Sequence, residues 1–137
     1  MEKNGEFEKK TVKILLAEDE ATNMEILTRV LDRIGHAPEK AQNGEEAIEL
    51  LREKKFDIVI TDYIMPKKNG VDVICFIHEN SNGNYPRIIV ISGTFLDFEC
   101  ELFQRIPREE AIISFIQLLS KPLRITDFKA AVTSAMV

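Results

Sequence analysis

Short apolar runs alternate along this chain with amphipathic stretches of helical period, and that alternation constrains the fold more than any other feature. Val12–Ala17 reads as a buried strand. Thr22–Ile34 follows, with Ile26, Leu27, Val30, Leu31 and Ile34 on the i, i+1, i+4, i+5, i+8 stripe of a helix that Gly35 stops. Ala37–Ala41 is a weaker strand, and because Pro38 cannot donate to a ladder it belongs at a sheet edge. Asn43 caps a helix over Gly44–Lys54, with Glu46 at the third position of a capping-box-like start. Phe56–Thr61 is apolar on both faces and must be a central strand. A helix from Val71 to about Glu79 and a strand at Arg87–Ile91 continue the pattern. After Ser92 it loosens: Phe95–Arg105 reads as a helix, Pro107–Ile113 as a second short one, and Phe115–Leu119 as a fifth strand. Thr126–Met136 closes the chain as a helix, with Thr126 as its N-cap and Asp127 in the favourable first turn. The expected fold is α/β, a doubly wound five-stranded parallel sheet with helices on both faces.

The 137 residues suit one domain, expected over 11–137 behind a polar tail at 1–10. With 18 basic against 23 acidic residues the net charge is −5, which gives no electrostatic reason to bind nucleic acid or a membrane surface. No apolar stretch approaches membrane-spanning length, and Met1–Lys10 lacks the apolar core of a signal peptide, so the expected address is the cytoplasm. Cys75 and Cys100 read as ordinary thiols there, and His36 and His78 stand without converging metal ligands.

In an open parallel sheet, ligands bind beyond the carboxyl ends of the strands. The first strand ends in Glu18-Asp19-Glu20, the third in Asp62, the fourth in Ser92 and the fifth in Lys121-Pro122. Carboxylates this close repel, which raises at least one pKa unless a cation is present, and Mg²⁺ suits an all-oxygen site with positions open to water or phosphate. With that ion in place a carboxylate can attack phosphorus and form an aspartyl phosphate, while the Lys121 ammonium and the Ser92 hydroxyl attend the phosphoryl oxygens.

These residues resemble the receiver domain of bacterial response regulators. The resemblance rests on Ile14-Leu-Leu-Ala-Glu-Asp-Glu20, Asn43-Gly-Glu-Glu-Ala47, Asp62-Tyr-Ile-Met-Pro66 with Asn69-Gly70, Val90-Ile-Ser-Gly93 and Lys121-Pro122, in the family's order. It implies a CheY-like, flavodoxin-like sheet of strand order 2-1-3-4-5. It also implies a phosphorelay role without turnover catalysis on other substrates. Asp62 looks like the phosphoacceptor, loaded by a sensor histidine kinase or a phosphotransfer protein. Asp19 and Asp62 look like direct Mg²⁺ ligands, with the backbone carbonyl of Ile64 completing the shell and Glu18 acting through water. Ser92 matches the switch hydroxyl and Lys121 the lysine that pairs with the phosphoryl group. The chain ends with its expected last helix, so output is expected from a partner protein, an onward relay or a domain outside this sequence.

Departures from the family pattern sharpen the expectations. Asn69 stands where Asp is usual before Gly, and the turn is expected to survive because Asn tolerates such backbone. Leu118 stands where many members carry an aromatic that moves with the switch hydroxyl. The 28 residues from 93 to 120 exceed the usual length and are rich in phenylalanine and isoleucine. They are expected either to reshape a homodimer face, through 95–119 and the last helix, or to bury their own side chains. A phosphatase or phosphotransferase would need a second acid two residues after the nucleophile, where Ile64 stands. A flavodoxin-like cofactor binder would need a phosphate-cradling loop where Glu18-Asp19-Glu20 stands. A degenerate, phosphorylation-independent module would not need the full set of acids, Ser92 and Lys121. Because Ile64 cannot orient a hydrolytic water, Ile64→Asn is expected to shorten the lifetime of the phosphorylated protein in a hydrolysis assay, and equal lifetimes would refute this.

Overall fold

The central strand does what its two apolar faces demand. In the computed structural model, which describes residues 11–137, β3 (Ile58–Asp62) lies in the middle of a five-stranded parallel sheet ordered β2-β1-β3-β4-β5. Its neighbours are β1 (Ile14–Ala17) and β4 (Arg87–Ser92), with β2 (Glu39–Ala41) and β5 (Ile116–Ser120) at the edges. The tail read over 1–10 lies outside the described residues. Pro38 falls just before β2 rather than inside it, so the edge strand loses no ladder bond to it.

Side chains alternate across each strand and build a core on each face. Ile14, Leu16, Ile58, Ile60, Ile89 and Ile91 pack under α1 (Ala21–Arg33) and α5 (Ile125–Ala135). Leu15, Val59, Ile88 and Val90 pack under α2 (Gly44–Glu53), α3 (Gly70–Asn80) and α4 (Phe95–Arg105). The aromatic-rich stretch after β4 mostly fills that second core: Phe98, Leu102, Ile106 and Ile112 are buried. Phe115 stacks edge-on with Tyr85 at 5.5 Å and lies under the Arg87 guanidinium at 4.9 Å.

Several boundaries differ from expectation for local reasons. The short helix expected at Pro107–Ile113 is a 3-10 turn at Ala111–Phe115, entered through a Pro107–Glu110 backbone turn. Thr126 does not cap α5; Arg124 occupies the N-cap position without a side-chain bond, and Thr126 lies inside the first turn. Ile26, expected on the buried stripe of α1, is 43% exposed. Asn69 has ordinary extended backbone, φ −98°, so its value is not tolerance of unusual backbone. Its Oδ1 accepts the Asp72 N–H at 3.0 Å while Asp72 accepts the Asn69 N–H at 2.9 Å, a complete capping box for α3. Asn43 Oδ1 likewise accepts the Glu46 N–H at 2.8 Å, but Glu46 reaches back to the Gln42 N–H rather than to the cap itself.

Each of these two caps precedes a glycine that the packing requires. A Cβ on Gly44 would stand 2.2 Å from the Lys68 carbonyl oxygen, and one on Gly70 would stand 2.7 Å from that of Asp62. Both meet backbone, which cannot swing aside. The helix propensity gained on replacing Gly by Ala is about 1 kcal/mol and the overpacking cost about 1–3 kcal/mol, so the clash wins. Gly44→Ala and Gly70→Ala are therefore each expected to lower unfolding free energy in urea titrations, by up to roughly 2 kcal/mol net; a stabilising result would show that the loops yield.

Candidate functional site

Register brings the strand ends level. Ala17 pairs with Thr61, Asp62 with Ile91 and Ser92 with Ser120, so Glu18, Asp62, Ser92 and Lys121 emerge at one edge of the sheet. Backbone bonds extend the ladders past the strands: Glu18 N–H to Ala41 O, Tyr63 N–H to Ile91 O and Lys121 N–H to Ser92 O, each at 3.0 Å. β1 and β3 are the strands between which the chain's path reverses, the place where such sheets bind ligands.

Glu18, Asp19 and Asp62 each bring a carboxylate oxygen within 4.8 Å of the others. Glu18 and Asp62 are buried, 3% and 2% exposed, while Asp19 is open to solvent. The Lys121 ammonium donates to Asp62 Oδ2 at 3.2 Å and lies 3.1 Å from Oδ1. Even so, among the described residues no hydrogen bond reaches Asp62 Oδ1, a buried acceptor. Ser92 is also buried, and its Oγ accepts the Thr94 N–H at 2.9 Å. The Lys121–Pro122 peptide is cis. The side chain of Ile64 points outward, 65% exposed.

Burial first, and the crowding of like charges after it, favour protonation of the two buried carboxyls. Burial, with the negative charge of Asp62 next, pushes the Glu18 carboxyl up to about 7. Burial also raises Asp62, against the pull of Lys121. Burial alone would depress the Lys121 ammonium, but its hydrogen bond and charge contact with Asp62 carry it above its usual value. An orphaned buried carboxylate oxygen beside two further carboxylates fits a hard divalent cation, since every donor is oxygen and the ion would remove the repulsion.

The response regulator receiver domain model matches residues 14–133. The chain belongs to the response regulator receiver family. Among relatives of this receiver domain, a probable chemotaxis protein CheY of Rhizobium etli is 26% identical over 122 residues, covering 88% of this chain and 89% of that protein. The 3′,5′-cyclic-nucleotide phosphodiesterase regA of Dictyostelium discoideum is 30% identical over 98 residues, 70% of this chain but 12% of that protein. The receiver domain thus spans a small part of some relatives and nearly all of others. A solved structure of the receiver domain of the sensor histidine kinase PA1611 from Pseudomonas aeruginosa, with magnesium in its active-site cleft, superposes with a TM-score of 0.73. That likeness, at 20% identity over 91% of this chain and 97% of the other, is one of fold.

Two features of the receiver domain's site escaped the sequence. Beside Lys121 and Glu18 opens an apolar cleft of about 400 Å³, walled by Ile26, Leu27, Leu123 and Ile125. Its signal was present but ambiguous, because an apolar residue on a helical stripe looks the same whether it faces the core or a cleft. The second is Tyr63, whose hydroxyl donates to Glu101 on α4 at 2.7 Å; no local pattern links residues so far apart in the chain.

A raised folded-state pKa adds stability that is complete below the unfolded value and disappears as pH rises through the folded one. For Glu18 that window runs from 4.5 to about 7. In EDTA, stability is expected to fall across it by on the order of 2 kcal/mol. Glu18→Gln is expected to flatten that slope and raise metal-free stability at pH 8, with Mg²⁺ offsetting the loss only in the parent. Denaturant titrations at pH 5 and pH 8 check this, and an unchanged slope in the variant would count against it.

Proposed function

We propose that this receiver domain takes a phosphoryl group onto Asp62 from a histidine kinase or a phosphotransfer protein and thereby switches its affinity for an output protein. The observation that carries the reading is Asp62 Oδ1, a buried oxygen that no described residue hydrogen-bonds, held beside an ammonium and close to two further carboxylates. A carboxylate so placed is desolvated, held in position by Lys121, and able to turn an oxygen toward an arriving phosphorus.

An Asp62 oxygen attacks phosphorus, and the bond from phosphorus to the donor's imidazole nitrogen breaks with its electron pair leaving on the imidazole. Lys121, already paired with Asp62, follows the charge as it moves onto the phosphoryl oxygens. The Ser92 hydroxyl, which spends its lone pair on the Thr94 N–H, keeps a proton to donate to one of those oxygens. Asp19 and Asp62 would hold Mg²⁺ directly, Glu18 through water, with the Ile64 carbonyl completing the protein's share. Bound there, the ion would neutralise developing charge on the transferred group.

The cleft beside Lys121 supports a protein donor. Exposed Ile26 and Ile125 flank it, so a helical partner can seat apolar side chains there while its phosphohistidine faces Asp62. Ile64 supplies no second acid to protonate a leaving group, which favours a phospho-accepting module over a turnover enzyme. Among the described residues no helix is long and apolar enough to cross a membrane.

Intact mass measured after incubation with acetyl phosphate tests the reading. One phosphoryl adduct is expected that requires Mg²⁺ and is absent in Asp62→Asn. No adduct, together with no Mg²⁺ binding by titration, would overturn it in favour of a phosphorylation-independent interaction module.

A further inference from the structure

Helix α4 is tied to the site at two places of different kinds. At its start, the Thr94 N–H donates to Ser92 Oγ at 2.9 Å, and the two hydroxyl oxygens lie 3.4 Å apart. About two turns on, the Glu101 carboxylate accepts from Tyr63 Oη at 2.7 Å and from Asn69 Nδ2 at 3.1 Å to each oxygen. Arg105 lies 3.7 Å from the same carboxylate and pairs with Asp72 Oδ1 at 2.7 Å, which closes the clasp onto the cap of α3. The Tyr63 ring also meets Phe98 edge-on at 5.4 Å.

The first tie is made by the hydroxyl that faces the phosphoryl group, and the second by groups that do not touch it. A rotamer step of Ser92 toward the phosphoryl oxygens carries Oγ away from the Thr94 N–H. The Glu101 clasp would not feel that step. Leu118, which carries neither ring nor hydroxyl, offers no polar link of its own between β5 and Ser92.

We propose that Glu101 is the pivot of α4: on phosphorylation the Thr94 end is released, while Tyr63 and Asn69 hold the helix at Glu101 and confine the change to its first turn. The inference rests on Asp62 being the phosphoacceptor. Its consequence is local, because Leu96, 74% exposed on that first turn, is the side chain whose position would then report the state of Asp62. The identity of residue 69 is part of the device. Asp would cap α3 as well as Asn does, but it would set a like charge about 3 Å from both Glu101 oxygens.

Hydrogen exchange of the full chain, free and loaded with beryllofluoride and Mg²⁺, tests this in the parent, Asn69→Asp and Glu101→Ala, with acetyl phosphate adducts weighed in parallel. In the parent, loading is expected to speed exchange over 94–97 and leave 100–105 unchanged. In both variants the increase is expected to extend through 105, by about tenfold, the change that follows from losing one hydrogen bond to a charged group. Adducts with identical exchange patterns in all three proteins, or with no change anywhere in α4 of the parent, overturn the pivot alone. A parent that takes no adduct overturns the phosphoacceptor reading and this inference with it.

Discussion

Glu18 and Asp62 are carboxylates taken out of water within reach of one another, and among the described residues Lys121 is the ammonium that meets Asp62. Burying like charges together is unfavourable, and a protein evolving for stability alone would replace one of them. Here the sheet is built so that it cannot avoid the crowding: the parallel register delivers both strand ends to the same level, and the backbone ladders continue past them. The site is thus an electrostatic deficit supported by the surrounding core, and its chemistry is the set of ways in which that deficit is relieved, by a proton on Glu18, by Lys121, or by an arriving cation.

That support comes from contacts with no chemical role. Gly44 bonds through its N–H to the Lys68 carbonyl at 3.1 Å, and Gly70 to that of Tyr63 at 2.8 Å. Both approaches exclude a side chain, so the loops after β2 and β3 are locked to one another and to Asp62. The caps at Asn43 and Asn69 begin helices at the points where these contacts need them. Pre-organisation of the proposed phosphoryl-transfer site is therefore distributed over backbone amides, where substitution acts through geometry rather than reactivity.

The strands and the clustered acids were legible because each follows from a local pattern, an apolar run of known period closed by a polar residue, whereas the strand order came only with the family resemblance. Asp62, Ser92 and Lys121 could be found by asking only where strands end. Features governed by tertiary choice were not legible. Thr126 offered a hydroxyl at a plausible cap position, but the helix began one residue earlier, at Ile125. Pro107–Ile113 had the composition of a helix, yet the chain turns at Pro107–Glu110 and continues as a 3-10 turn at Ala111–Phe115. Ile26 kept its period but met a cleft instead of the core. Asn69 was recognised as a departure, though for the wrong reason: its capping bond to Asp72 is local, three residues on, while its hold on Glu101 depends on a helix 32 residues away.

The stretch between α4 and β5 enters the sheet beside the beginning of β4, where Ile116 pairs with Ile88. Ser120 and Ser92, at the chemical edge, lie four residues further along, about 13 Å at the rise of a parallel strand. The chain at 106–115 therefore lies at the floor of the domain, beside Tyr85, Phe115 and Arg87, and away from the strand ends that carry Asp62 and Ser92. Closing a longer loop costs little conformational entropy when its ends are already fixed. A change of length at this position would be absorbed at the end of the sheet opposite the edge that carries Asp62 and Ser92.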